Sequence, residues 1–212
     1  MKVLVACEES QAVTAALLER GHDAWSMDLQ ETSGPHPERH LVGDVIHHLQ
    51  EVDRQWDMVI AHPPCTYLAN SGVRWLSTVA GFNQKRMAKM EQGARFFRFF
   101  TRLHTRAFDP IPRVAIENPI IHRYAKAEIG RGHDQLIQPW MFGHPESKAT
   151  CLWLYGLPHL QETNNVKAEY QALPKSQGQR MWSMPPGPER QKLRSKTYEG
   201  IAKAMASQWS AR

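Results

Sequence analysis

KVLVACEESQAVTAALLERGHDAWSMD, residues 2–28, reads as a β-α-β unit, and this reading decides the fold. Lys2 to Ala6 is a short run with β-branched residues. Ser10 can cap a helix in which Val13, Ala16 and Leu17 recur at helical spacing, and Gly21 ends it. Ala24 to Met27 then forms a second strand, closed by Asp28. Further out, a loop with Gly34, Pro35 and Pro37 leads to LVGD (41–44), and DMVIA (57–61) reads as another buried strand. Strands alternating with helices predict an α/β domain with a mainly parallel sheet flanked by helices. Ligands of such sheets lie outside the carboxyl ends of the strands. Four strand ends are therefore of interest: Cys7-Glu8, Asp28, Asp44 and His62-Pro63-Pro64-Cys65.

Residues 84–106 form the longest helical stretch, with Met87, Met90, Ala94, Phe97 and Leu103 on an apolar face. Arg95, Arg98, Arg102 and Arg106 form a basic stripe on another face, which is either solvated surface or a phosphate-binding strip. Pro110 and Pro112 break the helix before the strand RVAI (113–116), which delivers Glu117-Asn118-Pro119. Cys151 to Tyr155 reads as a last apolar strand. The segment 158–195, rich in Pro, Gln and Asn, is expected to be irregular, and a helix from Lys196 to Trp209 follows it. No internal repeats appear, and the 212 residues are expected to form a single domain.

The chain holds 26 Lys plus Arg against 21 Asp plus Glu, a net charge of +5. The charge is polarised: residues 1–60 carry 4 basic and 11 acidic side chains (−7), and residues 61–212 carry 22 basic and 10 acidic (+12). A basic remainder suits a polyanionic partner, with the acidic front left for another ligand. The 3 cysteines, Cys7, Cys65 and Cys151, cannot form a dense disulfide framework. No stretch approaches the length of a membrane span, and acidic residues arrive before any hydrophobic region of a secretory signal develops, so a cytoplasmic protein is expected. His36, His40, His47 and His48 lack carboxylate or Cys partners at ligand spacing, so no metal site is predicted.

Cys65 follows two prolines at a strand end. It is either a small core residue or a thiol held in the cleft, where a nearby cation or helix terminus would have to activate it. Glu117 either caps the next helix or sits desolvated, with a raised pKa, as a proton donor. Asp28 and Asp44 are either turn residues bonding their own backbone or acceptors for a ribose diol and an adenine amino group.

Taken together these pieces resemble the DNA (cytosine-5) methyltransferase family. GDVI (43–46) resembles the adenine-binding motif, HPPCTYLANSG (62–72) the catalytic Pro-Cys motif with its loop, and IENP (116–119) the Glu-Asn motif. GHPESKAT (143–150) stands where the family has Gly-x-Pro-Gln-x-Arg-x-Arg, and TYEGIAKAMA (197–206) resembles its C-terminal helix. The motifs follow the family's order across nearly the whole chain. The resemblance implies a Rossmann-like class I methyltransferase dependent on S-adenosylmethionine, acting on DNA. It implies catalytic Cys65, Glu117 and Asn118, with Glu117 protonated. It also implies that Cys7, Glu8, Ser10, Asp28, Asp44, Val45 and Pro63 bind the cofactor, and that Pro64, Ser71, Arg74, Glu146, Lys148 and Thr150 bind substrate. Lys85, Arg86 and the arginine stripe are further phosphate candidates.

Three departures accompany the match. The first motif, ACEESQ (6–11), has no glycine; Glu146 to Thr150 replaces the paired arginines; and the stretch before the last helix leaves little room for a target-recognition domain. Sequence readout is then short, relaxed or supplied by a separate specificity partner. An RNA or nucleotide acceptor, a different transferred group, an exocyclic-amine methyltransferase and a catalytically silent nucleic-acid-binding protein are the alternatives.

Overall fold

The computed structural model describes residues 1–51, 55–78, 81–185 and 187–210. The chain opens with β1 (Lys2–Ala6), α1 (Ala12–Glu19) and β2 (Asp23–Asp28), as the opening sequence predicts. Then come β3 (His40–Val42), α2 (Val45–Glu51) and β4 (Met58–Ala61). A small hairpin, β5 (Ser77–Thr78) with β6 (Gly81–Phe82), precedes α3 (Gln84–Thr101). The second half holds β7 (Arg113–Pro119), α4 (Arg123–Ile129), β8 (Gln135–Ile137) and β9 (Thr150–Tyr155). It closes with α5 (Lys167–Ala172), α6 (Lys175–Gly178), α7 (Arg180–Ser183), α8 (Pro188–Ser195) and α9 (Glu199–Gln208).

Seven strands form one sheet in the order β3-β2-β1-β4-β7-β9-β8. All run the same way except β9, which pairs antiparallel with both β7 and β8. Both faces of the sheet are covered, which is why its central strands read as unbroken apolar runs. Leu4, Ala6, Val59, Ala61, Val114 and Ile116 pack on one face with Met90, Ala94 and Phe97 of α3. Val3, Val5, Met58, Ile60 and Leu152 pack on the other with α1 and α9. The strand order reverses between β1 and β4, so a crevice opens at their carboxyl ends.

Three expectations are corrected. Ser10 does not cap α1; the buried Glu8 does, its carboxylate accepting from Val13 N at 2.7 Å, Thr14 N at 3.2 Å and Thr14 Oγ1 at 2.6 Å. Gln11, left-handed at φ 54°, turns the chain so that Glu8 meets those amides. The helix expected over 84–106 ends at Thr101, after which turns carry Leu103 and Ile111 into the core. The 158–195 segment is not wholly irregular but carries the four short helices α5 to α8. Among the described residues no helix is long and apolar enough to cross a membrane.

Candidate active site

The sheet register assembles the site. Ala6 is level with Met27 on one side and Ala61 on the other, and Ala61 is level with Ile116. The next residues, Asp28, Cys7, His62 and Glu117, therefore stand in one row along the carboxyl edge of β2, β1, β4 and β7. From His62 the chain passes through Pro63 and Pro64 to Cys65, whose carbonyl accepts from Leu68 N and Ala69 N in a tight turn. Asn118 Nδ2 donates to Pro63 O at 2.7 Å, tying the Pro-Pro-Cys loop to the strand that carries Glu117. Asn118 thus positions the loop through Nδ2, and its Oδ1 is buried with no hydrogen-bond partner.

Three charged side chains act on Cys65, namely Glu117, Lys148 and Arg194, and a fourth, His62, is bonded to Glu117. His62 Nδ1 lies 3.0 Å from Glu117 Oε2, the two side chains being 8% and 14% exposed. Lys148 interacts with both Glu117 and Cys65, and Arg194, from α8, acts on Cys65 and Lys148. Burial favours a neutral Glu117, yet the hydrogen bond and charge of His62, with Lys148 beyond, outweigh it and hold the carboxyl below its ordinary range. This corrects the expectation of a protonated Glu117. Burial works against a charged His62 too, but Glu117, with Glu8 adding, raises its pKa, so the proton resides on the imidazole. Burial and Glu117 push the Cys65 thiol up, while Arg194 and Lys148 oppose them. Burial, aided by Arg194, lowers Lys148 against the pull of Glu117 and Cys65.

The other half of the row is acidic. Burial, then the charges of Asp28 and Asp44, push the Cys7 thiol at the end of β1 up to about 12. Cys7 and Gln11 both adopt left-handed backbone (φ 59° and 54°), where a glycine-rich loop would place glycines. One oxygen of each aspartate is engaged locally: Asp28 Oδ1 accepts from Gln30 N at 3.1 Å, and Asp44 Oδ1 from Ile46 N at 2.7 Å at the start of α2. The turn reading of both thus holds, which leaves a carboxylate's second oxygen for any ligand. Val45 and Pro63 are buried, and Ser10 borders a cavity of about 260 Å³ with Ser33, Lys192 and Lys196. Asp28 and Asp44 each keep an oxygen that can accept from the hydroxyl or amino hydrogens of a polar ligand at this end of the row.

The expected substrate side is mixed. Lys148 reaches the cluster, its Nζ donating to Lys196 O at 3.3 Å. Glu146 is engaged elsewhere, accepting from Tyr198 Oη at 2.7 Å and pairing with Arg180 at 3.2 Å, and Thr150 Oγ1 donates to Lys148 O. These bonds tie Glu146 and Thr150 into the loop that carries Lys148. Pro64 is exposed beside Cys65; Ser71 and Arg74 are exposed on the following turn, with Arg74 over the Trp75 ring at 4.8 Å. Of the arginine stripe, Arg98 donates to Glu128 O and Arg106 to Leu49 O, and with Arg95 and Arg102 they border a groove of about 500 Å³. The sequence pattern does not single out His62 or Arg194. His62 stood in the motif, but its bond to Glu117 depends on strand register; Arg194 reaches the cluster only through the course of α5 to α8.

The sheet order, with β9 reversed between β7 and β8, is that of the Rossmann-like class I methyltransferase fold. No protein-family model and no curated protein matches the chain. Among solved structures it is similar to a protein assigned as a DNA modification methyltransferase, encoded within an E. coli prophage. That match has 12% identity and a TM-score of 0.42, and covers 81% of this chain and 55% of that one. It is also similar to the Entamoeba histolytica methyltransferase EhMeth, at 15% identity and a TM-score of 0.49, covering 77% of this chain and 57% of the other. The chain spans little more than half the length of either.

Proposed function

We propose that the protein transfers a methyl group from S-adenosylmethionine to C5 of cytosine in DNA through a covalent Cys65 adduct. The observation that carries this reading is the bond from Asn118 to Pro63, which sets Cys65 and Glu117 in one frame beside Lys148. A nucleophile and a proton-handling carboxylate fixed together are what addition to C6 requires, since C5 of cytosine is too weakly nucleophilic to take a methyl group unaided. Bound S-adenosylmethionine supplies an electrophilic methyl group. Cys65 adds to C6 as thiolate, its charge offset by Lys148 and Arg194. Glu117 handles the proton at N3, and Asn118 keeps the Pro-Pro-Cys loop against β7. A base inside a duplex cannot reach a cleft thiol, so the target is flipped out of the stack.

The acidic end of the row, at Cys7, Asp28 and Asp44, is the cofactor half of this reading, and the basic cluster of Lys148 and Arg194 faces DNA phosphate. Incubation with labelled S-adenosylmethionine and separate DNA and RNA substrates, followed by nucleoside chromatography, tests it. The expected product is 5-methylcytosine in DNA. N4-methylcytosine, or label only in RNA, overturns the reaction or the acceptor. Cys65→Ala is expected to abolish transfer while leaving S-adenosylmethionine binding by calorimetry nearly unchanged; a variant that still makes 5-methylcytosine would rule out the adduct.

A further inference from the structure

We propose that His62 is the proton store of this site: it holds on Nδ1 the proton that Glu117 passes to N3 of the substrate base, and receives it back when product forms. This rests on the cytosine reading above and assigns a role to a residue that the reading leaves idle. Three observations carry it. The His62 Nδ1 to Glu117 Oε2 contact, at 3.0 Å, joins two side chains that are both nearly removed from water. The other ring nitrogen, Nε2, is buried with no hydrogen-bond partner, so among the described residues Glu117 is the one group with which the ring can exchange a proton. And Glu117, which must donate, rests as a carboxylate because the proton it needs is on its neighbour.

The groups that face the pair set which way that proton leans. Glu8, after β1, favours a charged imidazole; Lys148, before β9, favours a charged Glu117 and a neutral His62. Cys65 and Arg194 act one step further out, on Lys148. A neutral base entering the crevice adds burial, which works against both charged partners, so the proton moves from Nδ1 to the Glu117 carboxylate.

The step balances. Cys65 first gives its proton to water beside Lys148 and Arg194; as the thiolate Sγ then bonds to C6, the C5–C6 π pair shifts to C5–C4 and the C4–N3 π pair moves onto N3, which takes the proton from Glu117. His62 is then neutral and Glu117 ionised. After methyl transfer the C5 proton leaves to water, the C6–S pair returns to sulfur as thiolate, and the N3 proton returns through Glu117 to His62 Nδ1. The pair ends each turnover in its starting state.

His62→Gln tests the proposal, because the amide can still donate to Glu117 but cannot give up a proton. In rate–pH profiles of 5-methylcytosine formation, the variant is expected to lose about tenfold or more relative to wild type at pH 8, with the deficit shrinking at low pH, where Glu117 takes its own proton from water. Equal losses at every pH would assign His62 a merely structural role and overturn the proposal. An activity-free readout accompanies it: ¹⁵N NMR of the histidines is expected to show His62 doubly protonated above pH 6.5 in wild type, and neutral there in Glu117→Gln. A neutral His62 in wild type at pH 6 would also overturn it, and this measurement decides the matter if His62→Gln does not fold. Wild-type reactions without 5-methylcytosine would sink the reaction reading instead, while the NMR result on the pair stands.

Discussion

His62 and Glu117 affect stability as well as chemistry, and the sign follows from the two shifts. Glu117 titrates below its ordinary 4.5, so its contribution is complete above that value and is lost as the pH falls through the folded value. His62 titrates above its ordinary 6.5, so its contribution is complete below 6.5 and is lost as the pH rises through the folded value. Both contributions are whole between 4.5 and 6.5. The stability lost in Glu117→Gln, measured by denaturant titration, is therefore expected to peak in that window and to shrink on both sides. A loss that is the same at every pH would show that the pair does not share charge. Neighbouring Cys7 is the opposite case: two carboxylates and burial hold its thiol at about 12, so it is expected to resist alkylation at pH 8.

At the scale of elements, α1 depends on one side chain that lies outside it. Glu8 accepts three hydrogen bonds at the helix start while buried, combining a cap with a charge set against the amino end of a helix. Glu8→Ala is expected to cost about 2 kcal/mol, read as a fall in thermal midpoint; an unchanged midpoint would show that another group caps α1. How much of this was legible in sequence depended on span. β1, β4, β7 and β9 were readable because each carries a continuous apolar run, and β2 because Ala24, Trp25 and Met27 are interrupted by Ser26 alone. β8, three residues including the exposed Leu136, carries no such signal, and the reversal of β9 depends on which edge is free to pair. Ser10 looked like the cap because spacing favoured it, but spacing cannot show that Gln11 turns left-handed and brings Glu8 over the helix end. Cys65 and Glu117 were legible as strand ends. Their partners His62 and Arg194 were not, because one depends on register and the other on the path of α5 to α8.

Across the whole molecule, the polarised charge of the chain becomes a polarised edge: Asp28 and Cys7 at one end of the row, His62, Glu117, Lys148 and Arg194 at the other. If the basic end meets DNA phosphate, Arg194→Ala is expected to weaken binding alike for all sequences and to reduce the slope of log affinity against log salt by about one. An unchanged slope would place Arg194 off the DNA. The direction of β9 also settles where the protein has freedom to grow. Because β9 runs downward from Thr150, the chain leaves the sheet at the edge away from the site and has to climb back. It does so beside β8, where Gln135 bonds Leu160, and reaches the site edge by Asn164, whose carbonyl accepts from Gly143 N. From there to α9 the described residues form no strand of the sheet, and they meet the site edge where Ser147 N donates to Gly178 O and Arg180 pairs with Glu146. The segment is in effect a balcony: it can change in length without breaking a strand pairing of the floor beneath, but any exchange that removes Arg194 also changes the charge at Cys65.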